Sequence, residues 1–143
     1  MNKLLVNLIL LTALAWAACS GKKEETAEQT EWPQMDAFHM LMAESFHPFK
    51  DSANLEPAKA NAAEMASNAA QWADAALPKK VDTEQMKEHL ANLKNETASF
   101  AELVKTGTDE EIGVALTDLH DLFHAIQDAW YNKESGQKHE HKH

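Results

Sequence analysis

Histidine is the residue type in this chain best suited to chemistry. Eight occur among 143 residues: His39, His47, His89, His120 and His124 within the body of the sequence, and His139, His141 and His143 alternating at its end. Imidazole is a ligand for zinc, copper, nickel and iron. His120 and His124 are four residues apart, which sets both side chains on one face of a helix. One metal ion about 2.0–2.1 Å from each ring nitrogen is then within reach of both. His39 and His47 are eight residues apart, about 12 Å of helix rise, too far to hold one ion together. The expected metal centre therefore takes His120, His124 and either His39 or His47. Met40, Met42 or Glu44 is available to complete the shell, and a thioether donor turns the preference towards Cu(I). The expected cofactor is a transition metal ion, copper or zinc first. The tail Lys138-His139-Glu140-His141-Lys142-His143 offers a secondary, weaker site, because ordering a flexible segment opposes chelation. Met35 and Met42 fall on an apolar stripe and read first as core filler, whereas Met40 points away from it.

Those residues need rigid elements to position them, and the pattern supplies four helices. The first is expected from Pro33 to His47, with Pro48 as its stop and a stripe of Met35, Phe38, Met42, Phe46 and Phe49. The second runs from near Pro57 to before Pro78 on Ala58, Ala62, Met65, Ala69, Trp72 and Ala76. The third follows Asp82 or Thr83 and carries Met86, Leu90, Leu93, Thr97, Phe100 and Val104 before Gly107. The fourth opens on the capping box of Thr108 and Glu111 and carries Ile112, Leu116, Leu119, Phe123, Ile126 and Trp130. Short connections between amphipathic helices predict an all-α, antiparallel up-down-up-down four-helix bundle over residues 32–133, followed by a disordered tail at 134–143. His39 and His47 lie roughly 70° and 150° around from the centre of their stripe, and His120 and His124 roughly 90° and 130° from theirs in the same sense. Their flanks meet in one of the two bundle handednesses, between which the sequence does not choose.

The start of the chain concerns location. A positive Met1-Asn2-Lys3 precedes an apolar run from Leu4 to Ala15, too short for a comfortable membrane span and suited to a signal-peptide core over residues 1–18. Leu14-Ala15-Trp16-Ala17-Ala18-Cys19 resembles a bacterial lipoprotein lipobox. The resemblance implies that Cys19 is acylated and becomes the mature N-terminus, held on a membrane by its acyl chains. Residues 19–31 are polar and charged and read as a tether. The acidic run after the Cys resembles the export signal of surface lipoproteins. The expected place is the bacterial cell envelope, anchored to the outer membrane, with the domain outside the cytoplasm.

Composition excludes several classes. The formal net charge is −10 and every one of the 13 basic residues is Lys, so a nucleic-acid partner is not expected. A single Cys forms no internal disulfide, Cys-based zinc site or iron–sulfur cluster. No phosphate loop, nucleophile elbow or HExxH motif is present, and no enzyme activity is expected.

The stretch from Trp32 to Tyr131 resembles the cytochrome b562 and cytochrome c′-like bundles in length, helix order and the Ala-rich second helix ending before Pro78. For the b562 type the resemblance implies axial haem ligands early in the first helix and late in the fourth. Met35, or else His39, and His124 occupy those places. There is no CxxCH, so covalent haem of the c′ type is excluded. Three functions are therefore expected as alternatives: a metal-buffering or scavenging lipoprotein, a b-type haem electron carrier, and a cofactor-free structural or interaction lipoprotein.

Overall fold

The computed structural model describes residues 31–137. The signal-like segment, Cys19, most of the tether and His139, His141 and His143 lie outside the described residues. Four helices form: α1 (Pro33–Ser52), α2 (Glu56–Asp74), α3 (Glu84–Thr106) and α4 (Asp109–Gln137), with a short 3-10 turn at Lys79–Val81 before α3. No strand occurs among the described residues.

Local chemistry accounts for the helix ends. Pro33 and Pro57 sit in the first turns of α1 and α2, where a missing N–H costs nothing. Thr83 caps α3 by accepting a bond from the Met86 N–H at 3.2 Å. The capping box of α4 is closed in both directions. Thr108 Oγ1 accepts from the Glu111 N–H at 3.2 Å, and Glu111 Oε2 accepts from the Thr108 N–H at 2.8 Å. The Thr108 N–H first, and then the Thr108 hydroxyl donating to the same carboxylate oxygen at 3.0 Å, hold the Glu111 carboxyl below its ordinary pKa. Its contribution to stability is therefore present above the ordinary carboxyl range and lost as pH falls through the lowered native value. Thr108→Ala is expected to cost about 1 kcal/mol, read as a fall in the urea midpoint at pH 7.

Three boundaries differ from the sequence reading. α1 does not stop before Pro48 but continues to Ser52. The proline lies so near the C-terminus that little of the helix follows it, and the final carbonyls find other partners. Ser52 Oγ donates to Pro48 O at 2.9 Å, and the Ala53 N–H donates to Phe49 O at 2.7 Å from a left-handed φ of 55°. α4 runs to Gln137, into the segment read as tail. At the other end of α2, Ala76 falls beyond the helix and is exposed.

The apolar stripes meet in one core. Trp72, Phe38 and Phe123 are fully buried, and Trp32 and Trp130 nearly so. Their rings form one cluster: Trp32 lies 5.0 Å from Trp72 and 5.2 Å from Trp130, and Phe38 lies 5.5 Å from Phe123. The Lys80 ammonium sits 3.1 Å over the Trp130 ring at the cluster's edge. Of the buried polar groups, Ser45 bonds Met65 Sδ and Asn61, and Thr97 bonds the Leu93 carbonyl at 2.7 Å. Trp72 Nε1 is buried without a hydrogen-bond partner.

Contacts run in opposite senses along neighbouring helices. On α1 and α4 the partners are Trp32 with Trp130, Phe38 with Phe123 and Phe46 with His120. On α1 and α2 they are Trp32 with Trp72 and Ser45 with Asn61. Helix α4 thus returns alongside α1, and the protein is an all-α four-helix bundle. Among the described residues, no helix is long and apolar enough to cross a membrane.

Candidate metal site

The α1–α4 seam carries the histidines. Near one end of it, Gly113 lets the Phe49 ring approach closely: a Cβ at this glycine would stand 2.8 Å from the ring. Two turns further along α4, Phe46 offers its ring face to His120. The two ring centroids are 3.8 Å apart and the planes are inclined by 14°. Phe46 was legible in the sequence only as a core residue; it also serves as the platform on which His120 lies.

His120 is therefore partly covered, its side chain 26% exposed. Burial, more than any other influence, holds its pKa below the ordinary histidine value. The neighbouring His124 and the Lys50 ammonium act in the same direction, while the bond to Asp121 opposes them. With a native pKa below the unfolded one, the neutral ring contributes stability above about pH 6.5 that is lost as pH falls through the lowered value. Phe46→Ala uncovers the ring and is expected to move the His120 titration midpoint upward, measurable from its imidazole NMR shifts. An unchanged midpoint would contradict the role given to Phe46.

The nitrogens of the pair converge. His120 Nε2 and His124 Nε2 are 3.1 Å apart, with the rings edge-on at 4.4 Å and 71°. His120 Nδ1 lies 3.2 Å from Asp121 Oδ1. When His120 donates its Nδ1–H to that carboxylate, its Nε2 lone pair faces His124, whose Nε2–H donates in return. At His120 this is the tautomer that a metal needs, with a carboxylate behind the ring and a free Nε2 in front. Two nitrogen ligands about 2.0–2.1 Å from one ion, at angles of about 90–110°, are separated by about 2.8–3.4 Å. The observed separation falls inside that window. For both rings to ligate through Nε2, the His124 proton moves from Nε2 to Nδ1, and the hydrogen bond then gives way to two free nitrogens facing one point.

The other expected ligands are placed differently. His39 is exposed, and its ring stacks on Phe123 at 5.5 Å and 21°. The histidine-bearing flanks of α1 and α4 do meet in the seam, but on each other's phenylalanines. His47 and Glu44 are exposed on α1. Met40 is 61% exposed, whereas Met42 is buried in the core, its thioether turned away from solvent. Among the described residues, no group of three or more His, Cys, Asp or Glu is arranged to hold a metal ion. The third ligand expected from α1 is not brought to this point, and only the two α4 histidines come together.

The residues named for haem are also separated. Met35 is in the core and His124 is exposed, so they do not face one interior space. His139, His141 and His143 lie outside the described residues, as does Cys19.

Compared with models of known protein families, with curated proteins and with solved structures, the chain matches none.

Proposed function

We propose that this chain is a lipid-anchored, extracytoplasmic protein that binds a transition metal ion through His120 and His124, in a buffering or scavenging role. The observation that carries the reading is the 3.1 Å separation of the two Nε2 atoms, that of neighbouring ligands on one ion. The Asp121 carboxylate behind His120 supports it as the partner that orients a ligating imidazole. An all-nitrogen donor pair suits zinc, copper or nickel. The anchor rests on the likeness of Leu14–Cys19 to a lipobox, and the envelope location rests on the anchor. The haem and cofactor-free readings have no comparable geometric support.

The test uses the unlipidated mature chain with His139, His141 and His143 replaced by Asn, so that the tail contributes no imidazole. After incubation with Zn²⁺ or Cu²⁺ and removal of unbound ion, elemental analysis should find metal retained. Absence of metal, or retention unchanged when both His120 and His124 are replaced, would overturn the proposal.

A further inference from the structure

Two imidazoles supply half of a four-coordinate shell, and no third His, Cys, Asp or Glu among the described residues joins them. The open half of the shell faces solvent, since His124 is exposed and so is Ala125 beside it. The remaining ligands must come from outside the bundle. The chain's own tail is poorly placed to give two of them. From His124 to the end of α4 at Gln137 is about 20 Å of helix rise, and the six residues that follow reach at most about 20 Å when fully extended. Returning to the pair from there would take nearly the full extension of that segment, which its ordering entropy opposes.

A second copy of the chain has no such shortfall. Its own His120 and His124 are two nitrogens already held at ligand spacing, and a two-fold axis through the ion brings four imidazoles together from two identical patches. Ala125, small and exposed, sets no bulky side chain beside the pair on that face. The formal charge of −10 on each chain opposes association without metal, and a divalent cation at the axis offsets part of that repulsion. We infer that the His120–His124 pair is half of a four-histidine site completed by a second copy, so that metal binding makes the protein a dimer. The inference rests on the proposed function and adds its partner.

Sedimentation velocity of the unlipidated mature chain, with and without ZnCl₂, tests this alongside metal analysis of the same samples. The expected result is a monomer in EDTA and a doubled mass in zinc, with one ion per two chains. The dimer should persist when His139, His141 and His143 are replaced by Asn and vanish in His124→Ala. A monomer carrying one zinc per chain, a dimer that needs no metal, or a dimer lost with the tail substitutions would each overturn the inference while leaving metal binding by the pair in place. A chain that binds no zinc would overturn both.

Discussion

Replacing His120 and His124 together by alanine should abolish transition-metal binding while leaving the bundle folded. Both side chains stand at the α1–α4 seam outside the fully buried core, so their removal opens no large interior cavity. Each supplies one of two chain nitrogens, and either single substitution leaves a lone imidazole. The loss should exceed the roughly 10–100-fold that removing an outer-shell partner costs, and Asp121→Asn should fall within that roughly 10–100-fold range. His39→Ala and His47→Ala should leave affinity unchanged, because the structure places neither ring with the pair. Isothermal titration with Zn²⁺ across these variants, on a background lacking the tail histidines, checks the ranking. A loss in His39→Ala equal to that in His124→Ala would refute it.

The largest effect on stability should come from the aromatic cluster. Phe123 is fully buried, lies 5.5 Å from Phe38 and 6.4 Å from Trp72, and carries the stacked His39 ring on its α1 side. Phe123→Ala should cost about 3–5 kcal/mol, from lost transfer energy together with the cavity left behind. That is a large part of the roughly 5–15 kcal/mol holding a typical domain together. Trp72→Phe should cost distinctly less. It removes volume as well, but also removes the buried Nε1–H that has no partner, whose desolvation costs about 1–3 kcal/mol. Urea unfolding followed by circular dichroism measures both variants. A loss in Trp72→Phe as large as that in Phe123→Ala would contradict this expectation.

The sequence was a good guide wherever a local pattern decided the outcome. The apolar stripes apart from Ala76, a cap at Asp82 or Thr83 and the Thr108–Glu111 box follow from spacing and hydrogen-bonding capacity within a few residues, and the structure shows them in place with Thr83 as the cap. Pro48 misled because its effect depends on position: a proline that breaks a helix interior is tolerated when its C-terminal carbonyls are capped by Ser52 and Ala53. Trp32 was legible only as the edge of the domain, although it lies in the core between Trp72 and Trp130.

At the site, the four-residue spacing of His120 and His124 correctly put their rings together, because one helix fixes it. The third ligand was not legible. Whether His39 or His47 joins the pair depends on how two helices rotate against each other, and there Phe46 and Phe123 occupy the space across from the imidazoles. Asp121 had a readable signal, since a carboxylate next to a histidine can reach its Nδ1. Phe46 had none beyond its place on the stripe.

The most direct test of the site is the nitrogen NMR spectrum of the imidazoles during titration with Zn²⁺. The Nε2 resonances of His120 and His124 should move together and saturate at the same metal equivalent, with those of His39, His47 and His89 unmoved. Saturating shifts confined to other histidines, with the His120 and His124 resonances unchanged, would show that the metal does not bind at the pair.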